Sequence, residues 1–166
     1  QAGILFNIST GMVAKSGDFS ESLTTFKRSI VKREDPNTFF KVLSSAASTK
    51  HGQNAHGIFI DELHVVEQEL VDVLTTGTAS RRQPITFYTT TADYEGESVC
   101  NDTYRFACQV RDGEIDAPYF LPVIYEASRD DDWKSEKVWK KANPNLGKSV
   151  SIDYLRKESK KAFDRP

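Results

Sequence analysis

Hydrophobic and polar positions along this chain recur with the spacing of helices in some stretches and of strands in others. In residues 1–15 the apolar side chains fall at helical intervals, which predicts a first helix. A second, short helix is expected at 19–25. Two apolar runs at 26–33 and 38–44 predict strands, which the turn residues 34–37 would join.

The segment 57–61 has the clearest strand pattern of the chain. It reads Gly-Ile-Phe-Ile-Asp, a short apolar run that is typical of a strand buried on both faces of a parallel sheet. The run leads directly into two adjacent carboxylates, Asp61 and Glu62. Beyond them, apolar residues at helical spacing predict a helix that Gly77 is placed to end.

Three further elements complete the predicted core. Residues 84–91 predict a strand that ends in hydroxyl side chains, and residues 97–111 predict a helix with Tyr104 among its inward-facing residues. Residues 120–125 predict another strand, at an edge or a bulge because Pro122 has no N–H to donate. Strands that alternate with helices favour an α/β fold with a mainly parallel sheet.

The sequence changes character after residue 127. A charged run is followed by a short helix that starts near Ser135 and by an amphipathic helix that starts near Ser151, a favourable N-cap. We therefore expect a core over residues 1–127 and a lid or linker appendage over residues 128–166.

Composition narrows the classes of function. The 166 residues are 38% hydrophobic and 28% charged, which suits a globular protein with a sizeable core. A net charge of −2 gives no overall bias toward nucleic acid, so any DNA contact would need a local basic patch or a partner subunit. No apolar run is long enough to span a membrane. Two cysteines without a CxxC spacing favour a reducing, intracellular compartment.

The acidic pair is the leading candidate for chemistry. Carboxylates at the end of a buried strand have no packing role, and burying them unpaired would be costly. In ATP-hydrolysing motors the first acid, here Asp61, holds Mg²⁺ on the nucleotide, and the second, here Glu62, orients or deprotonates the attacking water. This arrangement is the Walker B pattern. A solvated pair of acids, neutralised by nearby lysines, would explain the dipeptide by itself equally well.

Two nearby stretches add candidates for the same site. Thr89, Thr90 and Thr91 follow the next buried strand, and ligands of parallel sheets bind beyond the carboxyl ends of the strands. Their hydroxyls can bond a phosphate or the attacking water, although threonine is also an ordinary strand residue. Lys50, beside a glycine-containing loop, can present a cation to a phosphate as an arginine finger does. A solvated loop is the alternative for Lys50, and other candidate cations are Arg28, Arg33, Arg81 and Arg82.

Histidines and missing motifs limit the interpretation. His51, His56 and His64 match no HExxH spacing, so a histidine-ligated metal is a weak alternative, and we expect His64 to pack beside the acidic edge. The sequence contains no GxxxxGK[ST] motif. Since that loop cradles phosphates with its backbone amides and lysine, we expect these residues alone to bind ATP poorly.

Several motifs, in this order, resemble the large terminase subunits of tailed bacteriophages. The similarity runs from about residue 2 to residue 163. Because it rests on several motifs in the family's order, it is more specific than any single motif. They are Val42-Leu43-Ser44-Ser45, Thr49-Lys50-His51-Gly52, Ile60-Asp61-Glu62-Leu63-His64, Asp72-Val73-Leu74-Thr75-Thr76-Gly77-Thr78, Arg81-Arg82-Gln83-Pro84, Thr89-Thr90-Thr91-Ala92, Pro122-Val123-Ile124-Tyr125-Glu126 and Trp139-Lys140-Lys141-Ala142-Asn143-Pro144-Asn145-Leu146-Gly147.

The resemblance implies a three-layer αβα core of the P-loop NTPase (RecA/ASCE-like) type, lacking its Walker A segment, with a small helical appendage leading toward an absent nuclease domain. It implies a DNA-packaging motor that couples Mg-ATP hydrolysis to translocation of double-stranded DNA into the prohead. In the family pattern Asp61 is the Mg²⁺-binding acid and Glu62 the catalytic glutamate. Thr89, Thr90 and Thr91 fall on the motif that couples hydrolysis to movement.

The resemblance also implies partners and a location. The cofactors are ATP and Mg²⁺, and the partners are double-stranded DNA, the portal protein, the small terminase subunit and further copies of the chain in a ring. The cytoplasm of an infected or lysogenic bacterial host is the expected compartment, with no membrane. Two alternatives are a DExH-type helicase core, because Asp61-Glu62-Leu63-His64 resembles that box, and a non-catalytic assembly module with an incomplete ATP site.

Overall fold

The computed structural model describes residues 2–43 and 54–164. The chain divides into two compact units, Gln1–Phe106 and Ala107–Pro166. The functional boundary expected after residue 127 stays a prediction. Among the described residues, every helix is too short or too polar to cross a membrane.

Two helices and a strand open the first unit. Helix α1, Ala2–Lys15, confirms the first predicted helix. Helix α2, Gly17–Ser22, begins after Ser16, whose side chain accepts a hydrogen bond from the backbone N–H of Phe19. Strand β1 then covers Leu23–Thr25. The helix predicted at 19–25 is therefore wrong in its second half, where β-branched threonines suit an extended backbone.

Strand β1 forms an antiparallel sheet with β2, Ser29–Lys32, and β3, Phe39–Lys41, in the order β1-β2-β3. The predicted turn between β2 and β3 is confirmed. There the Asp35 carboxylate accepts hydrogen bonds from the backbone N–H of Asn37 and the hydroxyl of Thr38, at 3.1 and 2.7 Å. Within the described residues three strands pair antiparallel and two parallel, so the predicted parallel pairing is confirmed for one sheet, while the first three strands form an antiparallel sheet. The reason is that a short connection can reverse a strand but cannot cross over to a parallel neighbour.

The parallel pair consists of β4, Gly57–Asp61, and β5, Ile85–Thr89. A 3₁₀ turn at Leu63–Val65 and helix α3, Gln68–Thr76, connect the two strands. Gly77 ends α3, as predicted, and its backbone N–H bonds the carbonyl of Val73.

One face of this parallel pair is the core of the first unit. Leu63 is the most buried large side chain among the described residues, with 1% of its surface exposed. Its neighbours in the cluster come from β4, from α3 and from the start of the helix that follows β5, and they are Ile58, Ile60, Val71, Leu74, Val99 and Cys100. A second, smaller cluster packs α1 on the antiparallel sheet through Phe6, Val13 and Ile30.

The opposite face of the pair is only partly covered. Phe59 and Phe87 are 53% and 46% exposed, and their rings stack with centroids 4.9 Å apart. Phe40 meets Phe59 edge-on at 6.4 Å and Phe6 at 6.0 Å, which links the two sheets. The prediction that β4 is buried on both faces is therefore wrong. Among the described residues, Phe40 packs over this face, but no complete layer covers it.

Helix α4, Val99–Arg111, corresponds to the predicted helix at 97–111. Tyr104 is 45% exposed rather than inward-facing, whereas Cys100 of the same helix is 3% exposed. The strand predicted at 120–125 is wrong, because this stretch has no regular structure. Its residues alternate between half-buried and exposed, but no described strand pairs with them.

The second unit ends in two helices, α5, Glu136–Ala142, and α6, Ile152–Asp164, which confirm the helices predicted from Ser135 and Ser151. Arg156 of α6 donates to the carboxylate of Glu136 at 2.7 Å and so ties the two helices together. The Lys134 ammonium lies 4.4 Å from the centroid of the Phe163 ring.

The burial of Leu63 generates a stability prediction. Leu63→Ala should lower the free energy of unfolding by about 2–5 kcal/mol, because it opens a cavity beneath the turn that follows β4. Val65→Ala is the matched control, since Val65 lies in the same turn but is 59% exposed; its effect should stay within about 0.5 kcal/mol. Urea denaturation of both variants measures the difference, and equal losses would show that Leu63 does not anchor this turn.

Candidate functional site

The carboxyl ends of β4 and β5 meet at one edge, as expected for parallel neighbours. Asp61 lies directly opposite Thr89 in the register of the two strands. The Thr89 hydroxyl donates a hydrogen bond of 2.7 Å to Asp61 Oδ1. The bond fixes one carboxylate oxygen of Asp61, and within the described residues it leaves Oδ2 without a protein partner.

Glu62 is placed by an unusual backbone conformation. Its φ of 58° and ψ of 56° lie in the left-handed region. Among the described residues, no other residue apart from glycine has a positive φ. Such a conformation costs about 1–3 kcal/mol and persists only where surrounding contacts hold it. Here the Glu62 carbonyl accepts from the backbone N–H of Val65 at 3.0 Å, and the adjacent Leu63 is fully buried. Strained residues of this kind cluster at functional sites.

His64 joins the acidic pair to the threonines of the next strand. Its Nδ1 lies 3.3 Å from Glu62 Oε2 and 3.1 Å from Thr90 Oγ1. The backbone N–H of His64 also donates to Thr90 Oγ1, at 3.2 Å. The prediction that His64 packs beside the acidic edge is confirmed, but its contacts with Glu62 and Thr90 could not be foreseen from spacing.

The loop after the threonines is held by its own hydrogen bonds. The Ser98 hydroxyl donates to Asp93 at 2.7 Å, and this bond, together with the backbone N–H of Tyr94, holds the pKa of Asp93 below its usual value. Asn101 donates to the carbonyls of Tyr94 and Gly96. Sequence reasoning missed this support, although a serine three residues before Asn101 at a helix start is an N-cap signal, and its hydroxyl accepts from the Asn101 N–H at 3.1 Å.

Other candidates do not gather at this edge. Arg81 donates to the carbonyl of Asn54, before β4, and therefore lies at the amino end of the strand. His56 also lies at that end, where its carbonyl accepts from the backbone N–H of Ile85. Arg33 donates to the Ser20 carbonyl beside the antiparallel sheet. Lys50 lies outside the described residues, and its role stays a prediction.

Asp61 at this edge is a residue that could hold the Mg²⁺ of a magnesium–nucleotide complex. Within 2–43 and 54–164, no group of three or more histidine, cysteine or acidic side chains is arranged to hold a metal. Mg²⁺ on a nucleotide needs only one or two protein carboxylates, because phosphate oxygens and waters supply the other ligands. The exposed Asp61 carboxylate, oriented by Thr89, meets that requirement.

Two comparisons place the chain among known proteins. It is 33% identical to Protein YmfN of Escherichia coli (strain K12) over 112 residues, which are 67% of this chain and 25% of that protein. The structure superposes on the crystal structure of the HK97 bacteriophage large terminase with a TM-score of 0.85 and 24% identity, over 100% of this chain and 34% of the terminase. The chain thus has the fold of part of a terminase and spans only a quarter to a third of these relatives.

The family match agrees with this likeness. Residues 1–109 match the family described as terminase large subunit, ATPase domain. That range includes the acidic pair, the three threonines and helix α4 up to its last turn. The chain therefore belongs to the family of terminase large subunit ATPase domains.

Proposed function

We propose that this chain contributes the Walker B half of the ATP site of a phage DNA-packaging motor. The observation that supports this most is the meeting of Asp61, Glu62 and Thr89 at one edge, in a chain of the terminase ATPase family. In this proposal Asp61 binds the Mg²⁺ of Mg-ATP and Glu62 is the general base. A GxxxxGK[ST] loop from elsewhere in the full-length protein completes the site.

The hydrolytic step follows from these roles. Bound Mg²⁺ would neutralise the charge that develops on the phosphates. The Glu62 carboxylate orients a water and accepts its proton as the water oxygen bonds the γ-phosphorus, and the bond to the leaving oxygen of ADP breaks. The Thr89 hydroxyl keeps the Asp61 carboxylate in one orientation.

The finer functions of the motor belong to the same proposal. We infer that Thr89, Thr90 and Thr91 link hydrolysis to translocation of double-stranded DNA, since two of the three hydroxyls contact the acidic edge or His64. Lys50 is proposed as the cation that stabilises the transferred phosphate. Portal protein, small terminase subunit and a ring of identical subunits are the proposed partners, in the cytoplasm of the bacterial host. Membership in the terminase family favours this function over a helicase core.

The role of Glu62 is tested by Glu62→Gln in the full-length protein. The variant should release phosphate from Mg-ATP at least about 100-fold more slowly, because the amide cannot accept the proton of the attacking water. ATP binding should be retained, since the amide occupies the same volume. Glu69→Gln, an exposed acid in the first turn of α3, is the control and should keep the parent rate. Hydrolysis by Glu62→Gln at the parent rate would remove the proposed base.

The contact between Thr89 and Asp61 is tested by a pair of substitutions. Thr89→Val deletes the hydroxyl at nearly constant volume, and we expect the Mg²⁺ concentration for half-maximal hydrolysis to rise about tenfold. Thr89→Ser keeps the hydroxyl and should restore the parent value. A Mg²⁺ titration of phosphate release compares the two, and a normal Mg²⁺ response in Thr89→Val would count against the assignment of Asp61 as the metal-binding acid.

A further inference from the structure

One imidazole nitrogen stands between the two strands at the candidate site. His64 Nδ1 is within 3.3 Å of Glu62 Oε2, which follows β4, and within 3.1 Å of Thr90 Oγ1, which follows β5. The backbone N–H of the same histidine bonds Thr90 as well. The backbone N–H and the ring Nδ1 of His64 therefore both contact Thr90 at the end of β5. The same ring nitrogen lies near Glu62, the candidate base.

The positions of the hydrogen atoms determine which group donates in these contacts. The Thr90 hydroxyl donates to the Thr91 carbonyl at 2.8 Å, so its oxygen is left to accept. The carboxylate form of Glu62 has no proton to give. Nδ1 is then the donor in its hydrogen bond with Thr90 Oγ1, and Glu62 Oε2 lies 3.3 Å from the same nitrogen.

Two features hold this network in place. Thr90 Oγ1 lies 3.6 Å from the sulfur of Cys100, which is 3% exposed and belongs to the core cluster. Glu62 has the left-handed backbone described above, which breaks the extended conformation of β4 immediately before His64. The His64 ring is thus in contact with both Thr90 and Glu62, which follow two different strands.

We propose that His64 is a positioning residue that couples the conformation at Thr90 to the orientation of the Glu62 carboxylate. The inference rests on the proposed role of Glu62 as base. It assigns to His64 neither a metal nor a proton-transfer role: the imidazole ring, held by Thr90, limits where the Glu62 carboxylate beside it can lie. Hydrolysis and the coupling threonines would then be linked by one side chain.

The experiment measures kcat and KM for ATP in the full-length protein. His64→Leu and Thr90→Val each remove one part of the link, and each should lower kcat by about 10-fold to 100-fold while KM changes less than about twofold. His64→Asn places an amide N–H near the position of Nδ1, and Thr90→Ser keeps the hydroxyl, so both should recover most of the lost rate.

Matched controls and a double variant separate positioning from general damage. Thr86→Val changes a threonine within β5, and His56→Leu changes a histidine just before the amino end of β4; both should keep the parent kcat. If the two residues act through one contact, Thr90→Val combined with His64→Leu should lose no more activity than either single variant.

The outcomes distinguish this proposal from the function on which it rests. Suppose that Glu62→Gln is inactive while His64→Leu and Thr90→Val keep the parent kcat. This result would overturn the positioning role of His64 and leave Glu62 as the proposed base. Parent-like Glu62→Gln would overturn both. Equal losses in His64→Leu and His64→Asn, or multiplied losses in the double variant, would also overturn it. If His64→Leu no longer binds ATP, the Thr90→Val and Thr90→Ser pair decides.

Discussion

The parallel pairing of β4 and β5 is the interaction on which the candidate site depends. Its register puts Asp61 opposite Thr89, and the hydrogen bond between these two side chains follows from that alignment. Because side chains alternate along a strand, a slip of one residue would turn Asp61 toward the core and Ile60 toward solvent. The burial of Ile58 and Ile60 on the core face therefore specifies the position of the Asp61 carboxylate as well as the fold.

The turn after β4 links the packing of the core to the positions of the side chains at the candidate site. Leu63 is inserted into the core immediately after Glu62, and this buried leucine holds the chain where Glu62 must adopt a left-handed backbone. Hydrophobic burial of one side chain, which contributes about 1.5–3 kcal/mol, is comparable to the cost of that strain. The same turn delivers His64 to Thr90, so core packing, strain and the hydrogen-bond network at the edge are parts of one arrangement.

Prediction from the sequence succeeded where a local pattern had a single structural solution. The apolar run before Asp61, the helical spacing that ends at Gly77 and the N-cap at Ser151 each describe a structure that neighbouring residues determine. It failed at Leu23–Thr25 and at 120–125. In the first place a helix was predicted where the chain pairs as a strand, and in the second a strand was predicted where no described strand pairs with the chain. Both outcomes depend on pairing partners that are distant in sequence.

The sequence by itself determined the chemical inventory: an acidic pair after an apolar strand, hydroxyls after the next strand, and a family that its motifs identify. Only the tertiary structure decided which atoms meet. Thr89 bonds Asp61, His64 bridges Glu62 and Thr90, and Arg81 lies at the other end of β4. Spacing along a chain constrains residues within one helix or strand, whereas contacts between strands depend on register and on turns whose backbone is held by burial elsewhere.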